Sequence, residues 1–189
     1  MKSQEVSRAH STRKRKERTQ TYEKLHPQYI VGFIDGEGCF SIGIFKDKTM
    51  RLNINVRPEL EIELRADDRE ILERIRYTLG CGYVFDCNYD RYGWYPHVKY
   101  KVSKLDDLVN IVIPFLDKYP PQANKANVYK LFKKVVYKKI NKEHLTEQGI
   151  DEIRKIREEA RKYMKKQSLG AARIRENRLS SGVGRKKRS

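Results

Sequence analysis

Between Arg51 and Leu64 the chain alternates two kinds of residue. Leu52, Ile54, Val56, Leu60, Ile62 and Leu64 fall on one side, and Arg51, Asn53, Asn55, Arg57, Glu59, Glu61 and Glu63 on the other. Side chains of a strand point to opposite faces with a period of two, so the run reads as a strand with one apolar and one polar face. CFSIGIF (39–45) precedes it across the polar KDKTM, and GYVF (82–85) and HVKYKVS (97–103) read as a second pair of strands. Helical patterns lie between and after the pairs. Asp67 or Asp68 is expected to cap a helix carrying Ile71, Leu72, Ile75 and Leu79 at helical spacing and stopped by Gly80. Ser103 with Asp106 has the spacing of a capping box ahead of LDDLVNIVIPFL. A further helix is expected after Gln122 with Val128, Leu131, Phe132 and Val135 inward. The last spans 146–166, with Ile150, Ile153, Ile156, Ala160 and Met164 as its stripe. With a short helix from Pro27 the order is α-β-β-α-β-β-α followed by C-terminal helices. That is an α+β fold in which helices cover one face of an antiparallel four-stranded sheet, leaving the polar face open.

The charge says what such a face could meet. The chain carries 42 Lys and Arg against 25 Asp and Glu, a net +17. Residues 1–26 and 165–189 hold +13 of it, leaving +4 for 27–164. The expected division is a basic N-terminal extension (1–26), one domain (27–166) and a basic tail (167–189). Segments so poor in apolar residues cannot bury enough surface to fold alone. They suit phosphate contact with a nucleic acid, or simply solvated ends. No run of about 18 apolar residues exists to span a membrane, and no apolar stretch makes a secretory signal. Three cysteines without paired spacing and four scattered histidines fit neither a disulfide framework nor a zinc finger. An intracellular setting is expected, a prokaryotic cytoplasm or an organelle. A two-stranded ribbon can enter a DNA major groove, where Arg57 suits guanine, Asn53 and Asn55 adenine, and Glu59 and Glu61 cytosine. Lys99 and Lys101 alternate with Val98, Tyr100 and Val102 and should share that face. An ordinary solvent-facing strand shows the same alternation.

The stretch YIVGFIDGEGCF (29–40) holds the chemistry. Gly32 and Gly36 lie four apart among large residues, although glycine costs roughly 1 kcal/mol against alanine inside a helix. Small residues at that spacing let two helix backbones approach closely. Asp35 and Glu37 then fall at the helix C-terminus, where the dipole disfavours a carboxylate by roughly 0.3–1 kcal/mol. A hard cation such as Mg²⁺, which takes one or two carboxylates with waters and phosphate oxygens, would suit them. A glycine-rich turn with two exposed acids fits the same residues.

YIVGFIDGEG, in the form G-F-x-D-G-[DE]-G, resembles the signature of the LAGLIDADG homing endonucleases. The element order, the run LEIELRADDREILERIRYTLGCGYV and the later IPFLDKYPPQANKANVYKLF extend the likeness over 28–165. The resemblance implies that the motif helix packs on a counterpart across a two-fold axis, with Gly32, Phe33, Asp35 and Gly36 at the interface. It implies that Glu37, beside Gly36, holds Mg²⁺ (Mn²⁺ or Ca²⁺ can occupy such a site) and that Asp35 supports it. A single motif in the chain implies a homodimer that cuts both strands of a long, near-palindromic DNA duplex, as in intron homing. DNA contacts are expected from Ser41, Lys46, Lys48, Arg51, Asn53, Asn55, Arg57, Glu59, Glu61, Arg91, Lys99 and Lys101. Tyr89, Tyr92, Trp94 and Tyr95 either join them or pack on the fourth strand. Leu64 stands where some members carry glutamine, so Glu61 or Glu63 would order water instead. Lys118, one place short of the counted position at Tyr119, is the expected basic catalytic group, acting on the transition state or the water network, or else a surface lysine near a helix end. An alternative is a maturase that binds intron RNA without cutting DNA. A non-catalytic regulator would be expected to have lost the motif acid, which Glu37 retains.

Overall fold

A computed structural model describes residues 21–89 and 95–180, with side chains to 164. Helix α1 (Pro27–Glu37) leads without a linker into β1 (Gly38–Lys46), which turns into β2 (Ile54–Arg65). A 3₁₀ turn (Ala66–Asp68) opens α2 (Arg69–Leu79), followed by β3 (Tyr83–Cys87) and β4 (His97–Val102). Next come α3 (Leu105–Asp107), a π-helical turn (Leu108–Val112) and α4 (Ile113–Lys118). The wide turn sits just before Pro114, which has no N–H to continue the regular ladder. Helices α5 (Ala123–Ile140) and α6 (Glu147–Ser180) complete the fold.

The sheet order is β1-β2-β4-β3, antiparallel throughout, and the expected α+β architecture is observed. Phe40, Ile42, Val56, Leu60, Ile62, Val98, Tyr100 and Val102 are buried on one face of the sheet. They pack with Ile30 and Ile34 of α1, Leu72 and Ile75 of α2, and Phe132 and Val135 of α5. The Phe40 and Phe132 rings lie 5.2 Å apart. Tyr129 donates to the Ile113 carbonyl and to Asp117, tying α5 to the helix before it. Pro58 lies past the end of β4, where β2 has no second neighbour and a missing N–H costs nothing on that side. Gly80, left-handed at φ 73°, ends α2 as expected.

Several local expectations give way. β2 starts at Ile54, not Arg51, because 51–53 belong to the turn and Asn53 is left-handed at φ 53°. Asp67 is engaged with Arg65 at 2.8 Å, and Asp68 at the α2 N-cap makes no capping bond. Lys104 rather than Ser103 precedes α3, and no capping box forms. Helix α6 runs through Ser180, beyond the helical pattern read over 146–166. Arg91, Tyr92 and Trp94, the segments 1–20 and 181–189, and the tail arms they carry lie outside the described residues.

Candidate active site and nucleic-acid face

The junction of α1 and β1 fixes the acid of interest. A Cβ on Gly38 would lie 2.6 Å from the Ile34 carbonyl oxygen, so only glycine lets the strand leave the helix this tightly. The Gly38 N–H in turn caps the helix by donating to Ile34. Glu37 is thereby held at the helix end, exposed, with no hydrogen bond or ion pair among the described residues. Asp35 has a different environment. Both its oxygens accept the backbone N–H of Gln122, at 3.1 and 2.9 Å, which is the N-cap of α5. A carboxylate there meets the positive end of the α5 dipole. Asp35 thus fastens the start of α5 to the end of α1.

That fastening brings in a residue that sequence reasoning missed. Lys125, in the first turn of α5, donates through Nζ to the carbonyl of Gly38, the residue after Glu37. Lys118 is exposed, with Nζ 5.3 Å from the Tyr119 ring centre, and lines a cavity with Gln28, Gly32, Asp35 and Gln122 on the outer side of α1. A lysine in a helix's first turn opposes the dipole, as Glu37 does at a helix end. Two wrong-ended charges meeting at one junction were the signal available in the sequence.

The outward face of α1 is unfilled. A Cβ at Gly32 or Gly36 would touch nothing within 4 Å, and Tyr29, 50% exposed, lies over Phe33 at 6.0 Å. No cluster of three or more His, Cys, Asp or Glu able to hold a metal occurs among the described residues. Among the described residues a single copy of this site thus gathers at most two such side chains, a fragment of the oxygen set that a hard cation takes.

The sheet's second face carries the expected polar residues, arranged as a ladder. Lys101 lies 2.7 Å from Glu59 and 3.0 Å from Glu61, and Lys99 lies 3.0 Å from Glu63 and 3.7 Å from Glu61. Burial alone would lower both lysines, but the carboxylates outweigh it and hold them above their usual value. Glu63 accepts a hydrogen bond from Tyr89 and pushes that phenol up to about 12. Toward the hairpin, the Phe45 ring folds back over Gly43, where a side chain would collide with it. Arg57 lies 5.3 Å from that ring's centre. Asn55 donates to Asp47, whose carboxyl is lowered first by the Thr49 hydroxyl and then by Asn55. Ser41 shares this face. Lys46 does not: it pairs with Ile54 and falls on the side of Ile44, where it lines a groove of about 820 Å³ with Arg154 and Arg157 of α6. Lys48 and Arg51 are exposed in the turn. α6 also borders the polar face, its Arg157, Arg161 and Met164 lining a groove of about 370 Å³ with Ser41, Glu59 and Glu61.

Comparison with known proteins gives a consistent result. The chain is 35% identical over 130 residues to the probable intron-encoded endonuclease 2 of Neurospora crassa, covering 68% of this chain and 28% of that protein. It spans just over a quarter of that relative's length. The meganuclease I-SmaMI bound to uncleavable DNA superposes with a TM-score of 0.66 at 30% identity, over 71% of this chain and 43% of the other. The homing endonuclease I-TnaI superposes with a TM-score of 0.65 at 28% identity, over 76% of this chain and 99% of the other. The sequence model of the LAGLIDADG endonucleases matches residues 30–136, more than half of the chain, from within α1 to near the end of α5. On that match, and on the fold that carries it, the chain belongs to the LAGLIDADG endonuclease family.

Proposed function

We propose that this chain is one half of a two-fold, metal-dependent DNA endonuclease that assembles as a homodimer. The observation that carries the reading is the α1–β1 junction: an exposed carboxylate without a partner among the described residues, at the end of a helix whose outer face is open at Gly32 and Gly36. A second α1 packed there would bring a second Glu37 to the axis, with Phe33 and Tyr29 flanking the contact. Two carboxylates, with backbone oxygens near Gly36 and the phosphates of DNA, make a donor set that suits Mg²⁺, and Mn²⁺ or Ca²⁺ would fit the same oxygens. The ion, when bound, lowers the pKa of a water and stabilises the leaving oxygen.

The chain's own groups do the rest. Glu37 supplies negative charge where cation and phosphate meet. Lys125, held by the Gly38 carbonyl, brings a positive charge to the same junction, where charge builds on a phosphate under attack. Asp35 positions it through Gln122. Ser41, Asn55, Arg57, Glu59, Glu61, Lys99 and Lys101 face the duplex and read it, while Lys48 and Arg51 in the turn reach phosphate. Lys118, on the outer side of α1, lies toward the partner helix. The intron-encoded relative supports a role in intron homing, and with it a site within a cell or organelle.

The test is cleavage of a randomised duplex library in Mg²⁺ by the purified chain, with its mass in solution measured alongside. A dimer that cuts a long, near-palindromic site is expected. A monomer that cuts only when joined to a second family unit would place the partner helix on a longer polypeptide, as the partial coverage of the relatives allows. Binding of intron RNA with no cut in any duplex would favour a maturase.

A further inference from the structure

We infer that the Lys–Glu ladder reads G·C base pairs, each cross-strand pair taking one, with the two base pairs separated by a single position. The inference rests on the proposed role of the sheet in reading DNA. Glu61 stands directly opposite Lys101 and Glu63 directly opposite Lys99 in the β2–β4 register. Each lysine touches the carboxylate across from it, at 3.0 Å in both cases. The ladder is closed at one end by Glu59 and at the other by Tyr89.

Its charge rules out simple phosphate attraction. Within the ladder three glutamates stand against two lysines, with Arg157 and Arg161 of α6 bordering only its Glu59–Glu61 end. A surface built for the backbone would be uniformly basic, as the ladder's neighbours Arg57 and Lys48 are. What an adjacent ammonium and carboxylate match is a donor–acceptor edge. In the major groove a G·C pair shows two acceptors, O6 and N7 of guanine, beside the amino donor of cytosine. Lysine can give protons to both acceptors while glutamate accepts from the amino group. An A·T pair offers no such doubled acceptor and adds a methyl, which leaves charged groups poorly partnered. The ladder side chains are only 16–33% exposed, so a base edge that replaces a cross-strand pair must satisfy both the ammonium and the carboxylate it separates.

Spacing sets the register of the read. Residues two apart on one face of a strand are separated by about 6.6–6.8 Å, and base pairs rise by about 3.4 Å. Where the ribbon follows the groove, Glu61–Lys101 and Glu63–Lys99 therefore meet base pairs two steps apart.

Binding of the full chain to its selected duplex and to every single-base-pair variant, over a range of salt, tests this. Lys101→Met is expected to lose about 10- to 100-fold on the selected site and to erase a G·C preference at one position of each half-site. Lys99→Met should erase it two steps away. The slope of log affinity against log salt should stay unchanged, and Lys101→Arg should keep the preference. Should Lys101→Met prove unfolded by thermal melting, Lys101→Arg and Glu61→Gln carry the test, the latter relaxing the same position. The inference is overturned if the preferences survive the substitutions. It is also overturned if affinity falls equally for all sequences and the salt slope drops by about 0.9 per lysine, the mark of phosphate contact. A wild-type chain that binds no duplex selectively would instead defeat the endonuclease reading beneath it.

Discussion

Two surfaces meet at β1, and they are finished to different degrees. On the sheet, lysine, glutamate and tyrosine side chains satisfy one another before any ligand arrives. At the α1 end, Glu37 has no partner among the described residues, and two glycines face open space. Glycine and a misplaced acid both weaken a helix, so nothing in the isolated fold accounts for them. On the proposed reading, the comparison means that the recognition face is built within one chain, whereas the chemical site is completed by a second helix.

The largest effect expected at the unfinished end is from Glu37→Gln. Loss of the metal-holding charge should cut cleavage by at least about 10³-fold, with affinity for the duplex kept. Cleavage within a few-fold of wild type would remove Glu37 from the chemistry.

Two glycines in the same stretch should then behave in opposite ways. Gly38→Ala forces a methyl into the Ile34 carbonyl and should destabilise the fold by about 1–3 kcal/mol in denaturant unfolding. Gly32→Leu meets open space in the single chain, so stability should hold or rise by up to about 1 kcal/mol. Assembly, read from mass in solution, should nevertheless fail. A stable, fully dimeric Gly32→Leu variant would break the comparison.

Lys125→Met should slow cleavage by about 10²-fold with unchanged binding, and Lys118→Met by far less. Equal effects would return Lys118 to the position first expected of it.

The smallest effect belongs to Asp117, paired with Lys133 and Tyr129 between α4 and α5. Burial pushes its carboxyl up, but Lys133 and Tyr129 outweigh that and leave it below its ordinary 3.8. A lowered carboxylate contributes stability that is present above its unfolded pKa and is lost as pH falls through the folded one. Asp117→Asn should therefore cost under about 1 kcal/mol at pH 7, the exposed pair being screened. That difference should fade in melts as pH falls below 3.8 and through the lowered folded value.

Much of this was legible because periodicity is local. The alternation in β2 named the buried face correctly from Ile54 to Leu64, and the stripes of α5 and α6 named the residues now found against the core. The start of β2 was not legible, since the same alternation continues through Arg51 and Asn53 although the turn takes them. Lys46, expected among the DNA contacts, falls by the period of two on the side of Ile44 rather than that of Phe45. Lys125 lay beyond reach because its approach to Gly38 depends on Asp35 and Gln122, 87 residues apart in the chain. Counting along a motif cannot see a contact of that range.

The central claim is that each half supplies one Glu37 and that each Glu37 serves the cut of one strand. Wild-type and Glu37→Gln chains carrying different tags can be co-expressed, and the mixed assembly purified and given a supercoiled plasmid bearing the selected target in Mg²⁺. Nicked circles, with linear product slowed by at least about 10³-fold, are expected. Linear DNA formed at the wild-type rate would contradict the claim.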